Sequence, residues 1–145
     1  MTEQQVQEDL IRLDAYRSQF SALAQQREIL VASRQDHLRA RESLEGIERS
    51  RSGDEMLVPL GGEAFVRGSV ELDSPVLIGI GSGVVVEMER PKAVELLAQR
   101  TTRIEQALRE TEGQMGALEE RVQLLSRRLD AAARAPGAPA DVGRP

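Results

Sequence analysis

The stretch that decides the fold lies in the middle of the chain, from Met56 to Arg90, and reads MLVPLGGEAFVRGSVELDSPVLIGIGSGVVVEMER. Its short apolar runs are separated by Gly-Gly, by Asp-Ser-Pro and by Gly-Ser-Gly, which are turn signals. We expect two successive β-hairpins, with the first turn at Gly61-Gly62 and the second at 81–83. The double β-hairpin region is assigned to residues 54–90, with strands over 56–60, 63–72, 76–80 and 84–89.

A long helix is predicted on each side of this region. Residues 1–48 contain no proline, and their apolar residues recur in steps of three and four, which is helical periodicity. In the second helix, residues 91–134, the alternation continues without a break and is typical of a left-handed coiled coil. The Pro/Gly/Ala-rich tail over residues 135–145 is expected to be disordered. The seam positions of the second helix are Val94, Leu97, Thr101, Ile104, Leu108, Thr111, Met115, Leu118, Val122, Leu125, Leu129 and Ala132.

The two helices are almost equal in length and flank a compact insert, which favours antiparallel pairing. The predicted fold is therefore α+β, a long antiparallel coiled-coil helical hairpin with two central β-hairpins. When the two helices pair antiparallel along their whole length, Arg27 lies near Glu112 and Arg34 near Glu105, which predicts two ion pairs. The apolar pairs expected across the seam are Leu10 with Leu129, Leu13 with Leu125, Phe20 with Leu118, Ala24 with Met115 and Val31 with Leu108.

Two hairpins of this size cannot fold by themselves. Below about 40 residues a core is too small without disulfides, metal or oligomerisation, and the chain has no cysteine. The hairpins also present strand edges whose backbone groups need partners. We therefore expect strand pairing with other subunits that closes an intersubunit β-barrel. The residues expected to mediate this oligomerisation are Val58, Leu60, Phe65, Val66, Val70, Val76, Ile78, Ile80, Val84 and Val86.

No motif in the sequence predicts catalysis, a cofactor or a metal site. The GIGSG run over residues 79–83 has Val84 where the dinucleotide pattern needs its third glycine, and no helix is predicted directly after it. His37 is the only histidine, and it has no clustered carboxylates or cysteines to form a metal site or a triad. The protein is therefore expected not to be an enzyme.

Composition narrows the possible partners. The formal net charge is −5 and the pI about 5.0, which argues against nucleic acid because phosphate binding needs a surplus of Lys and Arg. No window approaches the roughly 18 uninterrupted apolar residues of a membrane span. Together with the absence of cysteines and of a signal-peptide pattern, this predicts a soluble cytoplasmic protein.

The hairpin residues resemble those of a known family. The runs MLVPLG (56–61), FVRG (65–68) and VLIGIGSGVVVE (76–87) are similar to the double hairpin of prefoldin (GimC) alpha subunits of the archaeal type. The order of helix, double hairpin and helix matches that family over residues 1 to about 134. The tail beyond it matches nothing in the family pattern.

The resemblance implies a fold, partners and an activity. It implies a hexamer of two alpha and four beta subunits, in which the hairpins form a double β-barrel platform and six coiled coils project from it. It also implies an ATP-independent holdase that captures unfolded polypeptides and passes them to a group II chaperonin.

Client binding is expected at the free ends of the helices, where fraying exposes apolar side chains. A purely structural role in the seam is the alternative, and the two are compatible. For the whole protein, the alternative is a structural adaptor that docks a folded partner through its hairpins. The candidate client-binding residues are Val6, Leu10, Leu13, Leu125 and Leu129.

Overall fold

The computed structural model describes residues 1–136. From residue 137 onward, the tail that is predicted to be disordered lies outside the described residues. Within residues 1–136 the fold consists of two long helices and two separate antiparallel strand pairs, which confirms the predicted fold class. Contacts divide the described residues into two units, 1–31 with 106–136, and Ala32–Glu105. The elements in chain order are α1 (Glu3–Glu48), β1 (Glu55–Gly61), β2 (Ala64–Ser69), β3 (Val76–Gly81), β4 (Val84–Met88) and α2 (Arg90–Arg134).

Local sequence signals set the helix starts. The Gln5 backbone N–H donates to Thr2 Oγ1 at 3.3 Å, and the Thr2 N–H donates to Gln5 Oε1 at 2.9 Å. This reciprocal pair is a capping box, which satisfies donors that the first turn of a helix leaves free. Pro91 is the second residue of α2, where a proline is tolerated because its missing N–H would have had no partner in the helix.

In the first unit, the beginning of α1 packs antiparallel on the end of α2. Asp9 lies 3.2 Å from Arg128, and Arg27 lies 3.0 Å from Glu112, so contacts that advance along α1 move back along α2. The Arg121 guanidinium lies 5.7 Å from the centroid of the Tyr16 ring, in keeping with the same direction. Coiled-coil packing thus supplies a partner for the long apolar stripe of each helix.

The α2 seam agrees with the spacing in the sequence, because all of its twelve positions are buried or half-buried. The α1 seam differs at Leu10, which is 38% exposed, whereas Asp9 is only 2% exposed. Asp9 therefore takes the buried seam position and Leu10 lies at the edge of the seam, so the pairing of Leu10 with Leu129 stays a prediction. From Val6 the continuous alternation of three and four runs through Asp9 to Leu13, and Leu10 lies beside that line.

One of the two predicted ion pairs forms. Arg27 Nε donates to Glu112 Oε1 at 3.0 Å, and both side chains are about half exposed. Within residues 1–136, Arg34 and Glu105 do not come within 4.0 Å as an ion pair, although both are half-buried.

In the second unit, the two hairpins share one backbone design. β1 pairs with β2 through Val58 and Val66, and β3 pairs with β4 through Ile78 and Val86. Each first strand carries a register shift just before its turn, between Pro59 and Gly61 and between Gly79 and Gly81. The extra residues at these bulges are Leu60 and Ile80.

Both turns are two-residue loops with left-handed backbone. Gly62 and Glu63 have φ values of 56° and 62°, and Ser82 and Gly83 have φ values of 52° and 75°. Two successive positive φ values define the type I′ turn, whose twist matches that of paired strands. The predicted Gly61-Gly62 turn thus lies one residue too early, because the bulge at Leu60 places Gly61 in the strand opposite Ala64.

The core of the second unit lies where β3 and β4 pack on the start of α2. Ile78, Ala93 and Leu97 are buried together, and Val76, Met88, Leu96 and Leu44 of α1 pack around them. Two arginines of α2 add hydrogen bonds to the hairpin region: Arg90 Nη2 donates to the Leu72 carbonyl at 2.6 Å, and Arg100 Nη2 donates to the Gly79 carbonyl at 2.8 Å.

Candidate assembly surface and helix-end site

The hairpin of β3 and β4 has one covered face and one open face. Ile78 is 7% exposed against α2, whereas its neighbour Leu77 points to the opposite side of the strand and is 66% exposed. Val85 lies on the same open face as Leu77 and is also exposed. Packing on α2 supports this two-stranded sheet from one side, and its open apolar face remains available to a further partner.

The hairpin of β1 and β2 is open on both sides. Leu57 and Phe65 are exposed on one face, and Val58 and Val66 are exposed on the other. Phe65 is the largest of these side chains, at 58% exposed. Burying one such side chain contributes about 1.5–3 kcal/mol. The hairpin therefore offers a large apolar surface to an incoming strand or helix.

Residues at equivalent positions in the two hairpins are 20 apart, since Val58–Val66 corresponds to Ile78–Val86. Leu57 is equivalent to Leu77, and the bulge residue Leu60 is equivalent to Ile80. Leu57, Leu60, Leu77 and Ile80 are all exposed and apolar. The chain therefore presents the same type of surface twice.

The ten residues expected to mediate oligomerisation fall into different environments. Val70 and Ile78 are buried within this chain, and Val76 and Val86 are half-buried. Val58, Leu60, Phe65, Val66, Ile80 and Val84 are exposed and available to a partner.

Sequence reasoning missed three exposed residues of this surface, Leu57, Leu77 and Val85. All three lie in apolar runs, so the sequence does predict that they belong to strands. Both faces of each strand are apolar, however, and alternation therefore gave no signal as to which face is open.

Few charges interrupt the surface. Arg67 Nε lies 3.2 Å from Glu55 Oε1, and both side chains are mostly exposed. Such an exposed pair contributes little to stability. We define the hairpin surface as the exposed apolar residues Leu57, Val58, Leu60, Phe65, Val66, Leu77, Ile80, Val84 and Val85.

The second candidate site is the helix-end site of the first unit, formed by the beginning of α1 and the end of α2. Leu13 and Leu125 are buried, and Val6 and Leu129 are half-buried. Leu10 is the one proposed client-binding residue that is exposed in this structure. The helix pair thus buries most of the apolar side chains that fraying would release.

A buried carboxylate lies among these apolar side chains. Asp9 Oδ2 lies 3.2 Å from Arg128 Nη2, and Asp9 Oδ1 lies 3.8 Å from Arg12 Nη1. Oδ2 accepts no hydrogen bond of good geometry from the described residues, so its contact with Arg128 is an ion pair only. Sequence reasoning missed Asp9, although its place in the unbroken three-four spacing was a usable signal.

Metal and membrane chemistry find no candidate in the described part of the chain. Within residues 1–136, no three His, Cys, Asp or Glu side chains are grouped so that they could hold a metal ion. None of the helices described there combines the length and the apolar character that crossing a membrane requires.

The chain is similar to prefoldin subunits in sequence and in fold. The prefoldin subunit family matches residues 16–135. Prefoldin subunit alpha of Pyrococcus horikoshii is 29% identical over 112 residues, which cover 77% of this chain and 76% of the relative. Prefoldin subunit alpha of Methanoculleus marisnigri is 32% identical over 122 residues, which cover 84% of this chain and 81% of the relative.

Solved structures show the same fold. A chain of filamentous PFD from Methanocaldococcus jannaschii has a TM-score of 0.66 and 21% identity, and the match covers 85% of this chain and 97% of that one. The prefoldin beta subunit from Thermococcus strain KS-1 has a TM-score of 0.61 and 22% identity, with 91% of this chain and 95% of that one covered. The resemblance read from the hairpin residues is confirmed, and the chain belongs to the prefoldin subunit family.

Proposed function

We propose that this chaperone-type subunit is part of an ATP-independent holdase of the cytoplasm. In this proposal it captures unfolded polypeptides and passes them to a group II chaperonin. Residues 54–90 form the assembly region, and residues 1–48 and 91–134 form the coiled-coil helices. Its partners are beta-type prefoldin subunits, in a hexamer of two alpha and four beta chains.

The hairpin surface is the observation that carries the proposal. Nine exposed apolar residues lie on four short strands, and neither strand pair has a second sheet to pack against within residues 1–136. Solvent-exposed strand edges and apolar faces of this kind are unstable against pairing with other chains. Strands of partner subunits that complete an intersubunit β-barrel would satisfy both the edges and the faces.

The helix-end site supports the client-binding part of the proposal. The site lies in the last turns of a two-helix pair, where local opening costs the least free energy. Its apolar residues are Val6, Leu10, Leu13, Leu125 and Leu129. Opening there offers apolar contacts to an unfolded segment. Several such sites in one assembly give avidity although each contact is weak.

The test combines assembly with function. The chain is co-expressed with a beta-type prefoldin subunit, the complex is sized by light scattering, and suppression of aggregation of a chemically unfolded client is measured without ATP. A hexamer that suppresses aggregation without ATP and releases its client to a group II chaperonin is the expected result.

Two outcomes would contradict the proposal. A chain that stays alone in the presence of the beta-type subunit would exclude the assembly role. A chain that binds only a folded partner and leaves client aggregation unchanged would favour a structural adaptor.

A further inference from the structure

The helix-end site contains an arrangement that the hydrophobic effect alone would not produce. Asp9 is buried in the seam between α1 and α2, while the adjacent Leu10 is left exposed. A buried carboxylate is costly unless it is paired, and a leucine that is left 38% exposed gives up part of the free energy of burial. Some specific interaction must hold the helix in this orientation.

The sequence permits two orientations of the first turns of α1. Val6, Asp9 and Leu13 form one seam, and Val6, Leu10 and Leu13 form the other, because spacings of three-four and four-three both keep to one helix face. Val6 and Leu13 belong to both seams. At 3.6 residues per turn adjacent residues lie about 100° apart, so the mean directions of the two seams differ by about 33°, and a rotation of that size around the helix axis exchanges Asp9 for Leu10.

The observed orientation is the one in which Asp9 meets Arg128. The Arg128 guanidinium lies 3.2 Å from Asp9 Oδ2, and Arg12 approaches Oδ1 at 3.8 Å from the same helix. Both arginines are half exposed or more, so their charges stay hydrated while they face the carboxylate. Rotation that buried Leu10 would carry Asp9 away from Arg128.

We propose that Asp9 is a positioning residue that, paired with Arg128, holds α1 in the orientation that presents Leu10 to an unfolded client. This inference rests on the proposed function of the helix ends. The ion pair sets orientation rather than adding much stability, since Arg128 is half exposed and an apolar pair of similar volume often stabilises a buried site as well or better. The same property keeps the helix ends easy to open.

The chain has no cysteine, so a single introduced thiol can report the exposure of one position without background labelling of this chain. Leu10→Cys introduces a single thiol whose reaction rate with a neutral maleimide measures the exposure of position 10. The full chain is labelled after assembly with a beta-type subunit, so that the hairpins are covered. Ile11→Cys is the matched control, because Ile11 is the next residue and is 67% exposed.

Three substitutions of Asp9 separate positioning from stability. In Asp9→Asn the charge is lost, the apolar side chain at position 10 turns inward, and labelling of Leu10→Cys falls about tenfold while that of Ile11→Cys does not. In Asp9→Leu the new leucine keeps the observed seam, so position 10 stays reactive although the helix pair is more stable. In Asp9→Glu the pair with Arg128 is retained and labelling is restored. Asp14→Asn, at an exposed site on the same helix, leaves labelling unchanged.

Client capture is expected to follow the same order. With Leu10 intact, Asp9→Asn weakens aggregation suppression as much as Leu10→Ser does, whereas Asp9→Leu and Asp9→Glu retain it. Equal labelling of Leu10→Cys with and without the Asp9 charge would overturn the inference. So would normal client capture by Asp9→Asn alongside a defective Leu10→Ser.

Failure of the proposed function gives a different result. In that case Leu10→Ser and every Asp9 variant suppress aggregation like the unsubstituted chain. The labelling rates do not depend on a client and still decide whether Asp9 orients the helix.

Discussion

Ion pairs at the seam between the helices contribute differently to stability because their side chains differ in exposure. Arg27 and Glu112 form a 3.0 Å ion pair with both side chains about half exposed. Asp9 forms its pair with Arg128 inside the seam. Water screens both side chains of the first pair but only the arginine of the second, so similar distances of 3.0 and 3.2 Å do not mean equal contributions.

The Arg27–Glu112 pair is predicted to contribute little. Glu112→Gln should change the free energy of unfolding by no more than about 0.5 kcal/mol, since solvation replaces most of the lost attraction. Thermal unfolding followed by circular dichroism measures it. Glu110→Gln is the control, because Glu110 is exposed and has no ion-pair partner within 4.0 Å among residues 1–136. A loss of several kcal/mol for Glu112→Gln alone would show that the pair is more important than its exposure indicates.

At the scale of elements, α2 combines a strong seam with two weak positions. Gly113 and Gly116 are exposed inside the helix, and a Cβ atom at either position would meet nothing within 4 Å. Glycine lowers helix stability because its backbone loses more freedom on folding than that of any other residue. The helix nevertheless runs from Arg90 to Arg134 without interruption. Packing of its seam therefore outweighs these local costs.

Replacing these glycines should strengthen α2. Gly113→Ala and Gly116→Ala are each expected to raise stability by about 1 kcal/mol, because space is available and only backbone freedom changes. Slower amide hydrogen exchange around residues 110–118 measures the effect locally. Gly46→Ala tests a glycine near the end of α1 with equally open surroundings, and it should gain less because helix ends fray. Unchanged exchange in α2 would mean that the glycines do not limit its stability.

The hairpins behave differently from the helices because, within residues 1–136, much of their apolar surface stays exposed. Leu77 and Ile78 are neighbours in β3, yet Leu77 is open to solvent and Ile78 is packed on Ala93 and Leu97. A substitution at the first position acts on assembly, and one at the second acts on the chain itself.

Leu77→Ser is therefore predicted to weaken assembly without destabilising the isolated chain. The variant should move from the complex to free subunits in size-exclusion chromatography with a beta-type partner. Leu124→Ser removes a leucine of similar exposure, 57%, from α2 and should assemble normally. Ile78→Ser should lower the melting temperature of the chain alone, because it leaves a polar group in a buried site. Normal assembly by Leu77→Ser would exclude its face from the interface.

At the scale of the whole molecule, stability and assembly are linked. A partner that covers the exposed apolar strands binds the folded chain and not the unfolded one. Mass action then stabilises the folded chain as the partner concentration rises. An antiparallel coiled coil with open hairpins is thus expected to reach its full stability only in a complex.

The melting temperature is accordingly predicted to depend on the concentration of the beta-type subunit. With free partner at about 100 times its dissociation constant, folding should gain about 2.7 kcal/mol. Differential scanning calorimetry across a titration measures the shift. The Leu77→Ser variant serves as the control and should show a smaller one. A melting temperature that ignores the partner would contradict assembly through the hairpin surface.

Much of this protein is determined by local sequence. The helices and the α2 seam follow from periodicity, since a step of three or four residues fixes one face of a helix. The paired strands follow from short apolar runs between glycine-containing turns. The resemblance to prefoldin subunits rests on the same runs, which is why family and fold class were both readable from the sequence.

Only the tertiary structure decided three features, each because two local solutions were nearly equal. Asp9 or Leu10 could each complete the first seam of α1, and the position of Arg128 on the other helix selects Asp9. Either face of β3 could be covered, and the approach of Ala93 and Leu97 selects that of Ile78. The first turn could begin at Gly61 or Gly62, and the bulge at Leu60 shifts it to Gly62. In the two packing choices, the atoms that decide belong to a distant part of the chain. In the turn, they belong to the paired strand. Sequence periodicity describes only one element at a time, so it carries no information about either.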